Sequence, residues 1–192
     1  MTRRTFLIAG LTAFLIGGAS MGARPARADL FDFLTQQFGG TPAGTVAPPR
    51  ELVSYAGHRP PGTIIISMRE RRLYLVQAGG QALRYGVGVG RPGFTWAGTK
   101  TIAMKKEWPD WTPPPQMLKR RPDLPRHMKG GIENPLGACA MYLGNSMFRI
   151  HGSNEPDTIG QAVSSGCIRM TNADVSDLYD RVHVGTRVIV ER

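Results

Sequence analysis

Short apolar segments separated by turn residues make up most of the chain after residue 63. Ile64–Ile66 is a β-branched run, which is typical of a buried strand. Further strands are predicted at 72–76, 82–89, 100–106, 138–143, 149–151 and 187–191. No long helical pattern separates these segments. The pattern therefore favours a mostly β fold, a β-sandwich or partly closed barrel with one or two short helices.

Three segments carry helix signals. Pro113 can open a helix of one to two turns, because proline is favoured at the first helical position. Thr158 is a candidate cap for a short helix at 159–163. Thr171 and Asp174 form a capping box, and apolar residues follow it at helical spacing. We expect that last helix to run to about residue 181.

The first 28 residues are typical of an export signal. Arg3 and Arg4 precede an apolar run from Phe6 to Ile16, which is too short to span a membrane. Ala26-Arg27-Ala28 resembles a cleavage site. The arginine pair also resembles a twin-arginine signal, although ordinary export signals can begin in the same way. An uncleaved membrane anchor is the alternative, but glycine and serine interrupt the apolar run.

Residues 29–60 are interpreted as an N-terminal arm or linker. An amphipathic pattern at 30–38 predicts a short helix, and the Gly/Pro-rich stretch 39–50 predicts an extended segment. Residues 61–192 are predicted to form one folded domain.

Charge and composition narrow the classes of partner. The formal net charge is +10, and it falls to about +6 without the predicted signal, which favours anionic partners. The four histidines are far apart and show no metal-ligand spacing, so no metal or cofactor is expected. No nucleic-acid-binding motif is present either. A G-x-G-x-x-G run spans residues 88–93, but Pro92 interrupts the place where a nucleotide-binding helix would start.

The stretch from Phe148 to Met170 carries the candidate chemistry. His151 is separated by fifteen residues from Cys167, which follows Gly166 and precedes Arg169 by two positions. A thiol acts as a nucleophile only as the thiolate, and a neighbouring base or cation promotes that form. Gly166 would also let a substrate backbone approach closely. The pattern therefore points to nucleophilic catalysis, although a free cysteine is more often an inert buried residue.

This stretch resembles the catalytic signature of the YkuD-type L,D-transpeptidases, the ErfK/YbiS group. That signature is a His followed by Gly and, after a similar gap, Ser-x-Gly-Cys-(Ile/Val)-Arg. Here it is His151-Gly152 and Ser164-Ser165-Gly166-Cys167-Ile168-Arg169. Many members have His where this chain has Ser165. The likeness extends over roughly residues 60–192 and includes Asn134–Gly137 and Val184–Thr186.

The resemblance implies a mechanism and a substrate class. Cys167 would attack a peptidoglycan tetrapeptide stem after its third residue and release the terminal D-Ala. His151 would act as the base, oriented by the carbonyl of Gly152, while Arg169 would favour the thiolate or bind a substrate carboxylate. The expected oxyanion donors are the backbone N–H groups of Ser165, Gly166 and Cys167. The acceptor would be another stem, a lipoprotein or outer-membrane protein, or water, which would make a carboxypeptidase. An exported location in the periplasm or cell envelope follows.

Several alternatives stay open from the sequence. Two cysteines in an exported chain suggest a Cys139–Cys167 disulfide, whereas catalysis needs a free Cys167. Residues 108–125 form either a surface loop or a flap beside the active cysteine, where the basic residues 119–121 would attract carboxylates. A non-catalytic wall-binding protein with a structural cysteine is another alternative. A sortase-like enzyme fits less well, because its arginine lies on a later strand.

Overall fold

A computed structural model describes residues 47–192. The predicted signal, the predicted helix at 30–38 and most of the linker lie outside these residues. The strands are β1 (Glu51–Ser54), β2 (Ile64–Ser67), β3 (Arg72–Gln77), β4 (Gln81–Gly86), β5 (Val89–Gly90), β6 (Gly98–Glu107), β7 (Cys139–Leu143), β8 (Arg149–His151), β9 (Ala162–Ser164), β10 (Ile168–Arg169) and β11 (Arg187–Glu191). The helices are α1 (Pro115–Arg120) and α2 (Asn172–Arg181), and a 3-10 turn spans Pro156–Thr158.

Nine strands form one curled, mixed sheet in the order β1-β4-β3-β2-β11-β6-β7-β8-β10, and β5 pairs with β9 separately. The middle position belongs to β11, which runs parallel to β2 and antiparallel to β6. This half-barrel architecture confirms the predicted mostly β fold. Its far edge, at β8 and β10, carries the candidate catalytic residues.

The concave side of the sheet closes over one hydrophobic core. Ile64 and Ile66 of β2, Met141 of β7 and Leu178 of α2 are fully buried there. Burying an aliphatic side chain of this size stabilises the fold by about 1.5–3 kcal/mol. Lys105 Nζ donates to the carbonyl oxygen of Tyr179, in the last turn of α2, at 2.6 Å and to that of Val182, directly after the helix, at 2.7 Å, so these helix-end groups are satisfied.

Helix α2 begins as the capping box predicts. Thr171 Oγ1 accepts a hydrogen bond from the Asp174 N–H at 3.1 Å, and the helix ends at Arg181. The predicted helix at 159–163 is wrong. The chain forms the 3-10 turn first, and Gly160 then takes a positive φ of 88°, which an α-helix cannot contain. Residues after it enter β9 and pair with β5.

Two further differences concern element boundaries. The strand predicted at 82–89 divides into β4 and β5. Helix α1 begins at Pro115 rather than Pro113. Residues 51–54, which the sequence places in the arm, form the edge strand β1 against β4, where Arg84 and Glu51 make an ion pair of 2.6 Å.

The described residues, 47–192, lack two features that mark membrane and metal-binding proteins. None of their helices is long and apolar enough to cross a membrane. They also contain no group of three or more His, Cys, Asp or Glu side chains that could hold a metal ion.

Candidate active site

Strand pairing brings the two halves of the signature together. Strands β8 and β10 are parallel, with Arg169 opposite His151, so Cys167 lies just before the paired residues. On the other side of β10, Arg169 and Gly88 exchange backbone hydrogen bonds of 2.8 and 2.9 Å. A side chain at Gly88 would collide with the Thr158 carbonyl, which explains the glycine there. Cys167 therefore directly precedes a strand that is hydrogen-bonded on both sides.

His151 and Cys167 line the same cleft, whose volume is about 310 Å³. Its walls combine apolar and charged side chains, including Trp111, Met117, Phe148, Arg149, Glu155 and Arg169. A mostly apolar cleft with a few convergent polar groups is typical of a site for a small substrate or peptide.

His151 is held in one tautomer. Its side chain is buried, and Nδ1 lies 2.6 Å from the carbonyl oxygen of Gly152. Because a carbonyl only accepts, the ring proton is on Nδ1 and the lone pair is on Nε2. Burial lowers the pKa of His151 to about 3, against a smaller opposing contribution from the Gly152 carbonyl. The imidazole is therefore neutral at pH 7, with its Nε2 lone pair unprotonated.

Cys167 is a free, partly exposed thiol. Sγ lies 3.7 Å from the Met147 carbonyl oxygen, to which the thiol donates. Burial of the sulfur raises the pKa of Cys167, and hydrogen bonding and charge from Arg149 act in the opposite direction. The resting pair is thus a neutral thiol and a neutral imidazole rather than a preformed ion pair.

Arg149 is a site residue that the sequence analysis missed. Its Nη1 donates to the same Met147 carbonyl, at 3.3 Å, and its guanidinium carbon lies 5.0 Å from the Tyr142 ring centre. Its Nε is buried, with no hydrogen-bond partner among the described residues. Position 149 lies two residues before His151 on β8, so period-two alternation places both side chains on one face of the strand. That signal was available in the sequence.

Arg169 is already paired with an acid. Its Nη1 lies 2.7 Å from the Glu155 carboxylate and 3.4 Å from the Thr158 hydroxyl. Both members of the pair line the cleft. Glu155 follows the His151 strand by four residues, and nothing in the linear motif marks it as a partner of Arg169.

The loop before Cys167 is closed by Ser164. Its hydroxyl accepts from the Gly166 N–H at 3.1 Å and donates to the Cys167 carbonyl at 2.6 Å. Gly166 has a φ of 109°, and a Cβ there would lie 2.6 Å from the Phe148 ring. These two constraints account for the glycine without a substrate contact. Ser165 lines the cleft beside Cys167.

Asn172 ties the His151 strand end to helix α2. Its side-chain oxygen accepts from the N–H groups of Ala138, at 3.0 Å, and Ser153, at 3.3 Å. A Cβ at Gly152 would collide with that same oxygen, so the residue that orients His151 must be glycine here. Nothing in the linear pattern of the sequence marks this contact.

Segment 108–125 forms one wall of the cleft that contains Cys167, so it is more than a surface loop. Trp111, Pro114 and Met117 contribute the apolar part of that wall, together with Leu124. Of the three predicted basic residues, only Arg121 lines the cleft, where it pairs with Asp123 at 2.7 Å. Lys119 and Arg120 are exposed on α1.

Cys139 is also a free thiol, so the two cysteines are not bridged in this structure. It is 5 % exposed on β7, and its sulfur lies 3.9 Å from the Ser176 hydroxyl. Burial raises its pKa, and its polar contact is a hydroxyl rather than a base or a cation. Its position agrees with a packing role.

Comparison with known proteins gives a consistent family. Residues 61–190 match the model of the L,D-transpeptidase catalytic domain, YkuD. "Probable L,D-transpeptidase ErfK/SrfK" of Escherichia coli K12 is 37% identical over 134 residues, which is 65% of this chain and 42% of that protein. The match to this relative thus spans less than half of its length. "Putative L,D-transpeptidase YkuD" of Bacillus subtilis 168 is 50% identical over 58 residues, 30% of this chain and 35% of that protein.

Solved structures show the same fold. An L,D-transpeptidase from Mycobacterium smegmatis superposes with a TM-score of 0.55 at 20% identity, covering 68% of this chain and 58% of that one. A Brucella melitensis chain named "Probable carnitine operon oxidoreductase caia" has 45% identity and a TM-score of 0.51, covering 75% and 94%. Here, however, the G-x-G-x-x-G run enters strand β5 and not a helix, which is unlike a dinucleotide site. By its matched domain, its relatives and its fold, this chain belongs to the YkuD family of L,D-transpeptidases.

Proposed function

We propose that this chain catalyses cysteine-dependent acyl transfer on peptidoglycan stem peptides. The observation that carries the proposal is the parallel pairing of β8 with β10, which brings His151 and Cys167 to one cleft. A thiol is activated by a base within hydrogen-bond reach that a third group orients, and the proposal gives His151 that role toward Cys167. Gly152 supplies that third group through its carbonyl.

The first half-reaction forms a thioester. The neutral imidazole of His151 takes the thiol proton at Nε2, and the Cys167 thiolate attacks the carbonyl carbon of the third stem residue, which is bonded to the D-Ala nitrogen. The new C–S bond pushes the carbonyl electron pair onto oxygen. When that pair returns, the C–N bond breaks, and the amine of D-Ala leaves with the proton carried by His151. A free D-Ala and an acyl-enzyme result.

The second half-reaction regenerates the thiol. An acceptor amine attacks the thioester carbon and gives its proton to His151, and the C–S bond then breaks to return the thiolate, which is reprotonated. An acceptor amine on another stem produces a cross-link, and one on an envelope protein attaches that protein to the wall. With water as the acceptor, the enzyme acts as a carboxypeptidase.

The two arginines have separate roles in this proposal. Arg149 stabilises the thiolate, because its hydrogen bonding and charge lower the pKa of Cys167 more than the charge of Arg169 does. Arg169 instead binds a substrate carboxylate at the cleft wall, in competition with Glu155. Gly166 uses its N–H on Ser164, so the oxyanion would be met by the N–H groups of Ser165 and Cys167.

The exported location is part of the same proposal. A wall polymer is reached only outside the cytosol, and residues 1–28 have the pattern of an export signal. Cell fractionation with an antibody against the folded domain tests it, and a purely cytosolic signal would contradict it.

The test of function is mass spectrometry of the purified protein with a disaccharide-tetrapeptide, with and without a carbapenem. Loss of D-Ala and an adduct mapped to Cys167 are the expected results. Cys139→Ala is the matched control and should form the same adduct, whereas Cys167→Ala should form none. No turnover and no adduct, with both thiols shown to be reduced, would favour a non-catalytic wall-binding protein.

A further inference from the structure

Trp96 lies behind the catalytic loop and makes a directed contact with it. Its indole Nε1–H donates to the carbonyl oxygen of Gly166 at 2.8 Å. That carbonyl belongs to the peptide group whose nitrogen is the Cys167 N–H. In a trans peptide the C=O and N–H point in opposite directions. Fixing the Gly166 oxygen therefore fixes the direction of the Cys167 N–H.

The indole itself is immobilised by packing. Its ring stacks on Phe148, with centroids 4.5 Å apart and an interplanar angle of 8°. Lys100 Nζ lies 5.6 Å from the Trp96 ring centre and 5.9 Å from that of Phe148. The Phe148 ring also occupies the space that a side chain at Gly166 would need. The stacked pair is therefore a rigid support for the Gly166–Cys167 peptide.

The opposite ends of the loop are held by Ser164, which binds the Gly166 N–H and the Cys167 carbonyl. Gly166 and Cys167 take part in three successive peptide groups. Ser164 binds one atom of each outer group, and Trp96 binds the carbonyl of the central one. The remaining polar group is the Cys167 N–H, which is directed away from the indole. Ser165 and Cys167 themselves line the cleft.

We propose that Trp96 is a positioning residue, which aims the Cys167 N–H at the oxygen that becomes negative when the thiolate attacks. This inference rests on the proposed acyl transfer and adds a residue outside the His-Cys signature. Donors in an oxyanion site must be fixed before the reaction, because reorienting them during it costs part of their benefit. A donor that is free to rotate with a loosened peptide would lose much of its effect.

The test compares Trp96→Phe with Trp108→Phe. The first keeps an aromatic ring to stack on Phe148 and removes the N–H, whereas Trp108 is 49% exposed and is a matched control. Two reactions of Cys167 are timed in each protein: acylation by a carbapenem, which needs an oxyanion site, and alkylation by iodoacetamide, which does not. Turnover of the disaccharide-tetrapeptide gives kcat and KM.

We expect Trp96→Phe to lower kcat and the acylation rate by about 10- to 100-fold. KM and the alkylation rate should stay within about twofold of their wild-type values, because the thiol and the cleft are unchanged. The midpoint of the pH profile of alkylation should also be unchanged. A variant that slows both reactions of Cys167 equally would show a merely structural role and overturn the inference. So would equal acylation rates in Trp96→Phe and wild type.

The wild-type protein separates the two proposals. If it forms no acyl adduct at Cys167, both are overturned. If it does, and Trp96→Phe acylates normally, only the role of Trp96 is overturned. If Trp96→Phe does not fold, hydrogen exchange in the wild-type protein is the second measurement. The indole N–H signal of Trp96 is assigned by NMR with the variants Trp108→Phe and Trp111→Phe. This N–H should exchange slowly with D2O. Fast exchange would contradict the hydrogen bond to Gly166.

Discussion

Glu155 and Arg169 form an ion pair of 2.7 Å on the wall of the cleft, so the cation of the signature is occupied before any substrate arrives. The arginine side chain is 22% exposed and the glutamate 58% exposed. In the proposed mechanism a substrate carboxylate competes with Glu155 for the guanidinium. The pair tunes substrate affinity rather than the nucleophile in the proposed mechanism.

Glu155→Gln should accordingly lower KM for a carboxylate-bearing stem peptide, by about two- to fivefold, which is the range expected for an exposed ion pair. Arg169→Met should raise KM. Steady-state kinetics at low and high salt measure both effects, and high salt should reduce them. Glu191→Gln, an exposed acid on β11, is the control. A higher KM in Glu155→Gln would show that Glu155 orients Arg169 instead of competing for it.

The nucleophile and the base should differ in how much activity their removal costs. Cys167→Ala should abolish turnover, because no thioester can form, and His151→Ala should lower kcat by about 10²- to 10⁴-fold. Circular dichroism should show intact folds. Cys139→Ala should keep full activity, since Cys139 lies buried on β7 away from the cleft. Substantial turnover by Cys167→Ala would refute the mechanism.

The pH dependence of alkylation should reveal a neutral resting pair. Because burial raises the pKa of Cys167, the iodoacetamide rate should climb with pH through a midpoint above that of a free cysteine. Arg149→Met should move this midpoint higher, because a cation that favours the thiolate is removed. The exposed Arg187→Met is the comparison and should leave the midpoint in place. A midpoint below that of free cysteine would point to a preformed thiolate.

Stability should depend on pH through His151. Its pKa is about 3 in the folded protein against 6.5 as the ordinary value, so the unfolded chain binds the proton first as pH falls. Between pH 7 and pH 5 the free energy of unfolding should therefore decrease by about 2 kcal/mol through this group alone. Urea titrations at both pH values should show a smaller decrease in His151→Asn than in wild type. The exposed His58→Asn should match wild type; equal decreases in all three proteins would contradict the prediction.

The features that were predicted correctly depend on residues that are close together in the sequence. Thr171 and Asp174 define the start of α2 because a cap depends on residues three apart. The observed bounds of β11 match the predicted bounds, 187–191, because its β-branched residues lie between Gly185 and the charged Glu191. The family signature identified His151 and Cys167, which share one cleft.

What the sequence missed depends on contacts between distant segments. Trp96 and Gly166 are seventy residues apart, and Asn172 reaches Ala138 across thirty-four. Neither relationship leaves a periodic trace. The incorrect helix at 159–163 has a local cause, since Thr158 resembles a cap, but Gly160 at positive φ directs the chain into β9. Helix signals without a following helical run of apolar residues were therefore a weak basis for prediction.

The central place of β11 bears on how the domain is made. Residues 187–191 are the last strand synthesised in the described part of the chain, yet they join β2 to β6 and so unite the two halves of the sheet. Before those residues leave the ribosome, the edges of β2 and β6 have no partner between them. The domain must therefore reach its native state after synthesis of this strand and not progressively from its first residues. Until then it would present two open strand edges, which are templates for pairing with other chains.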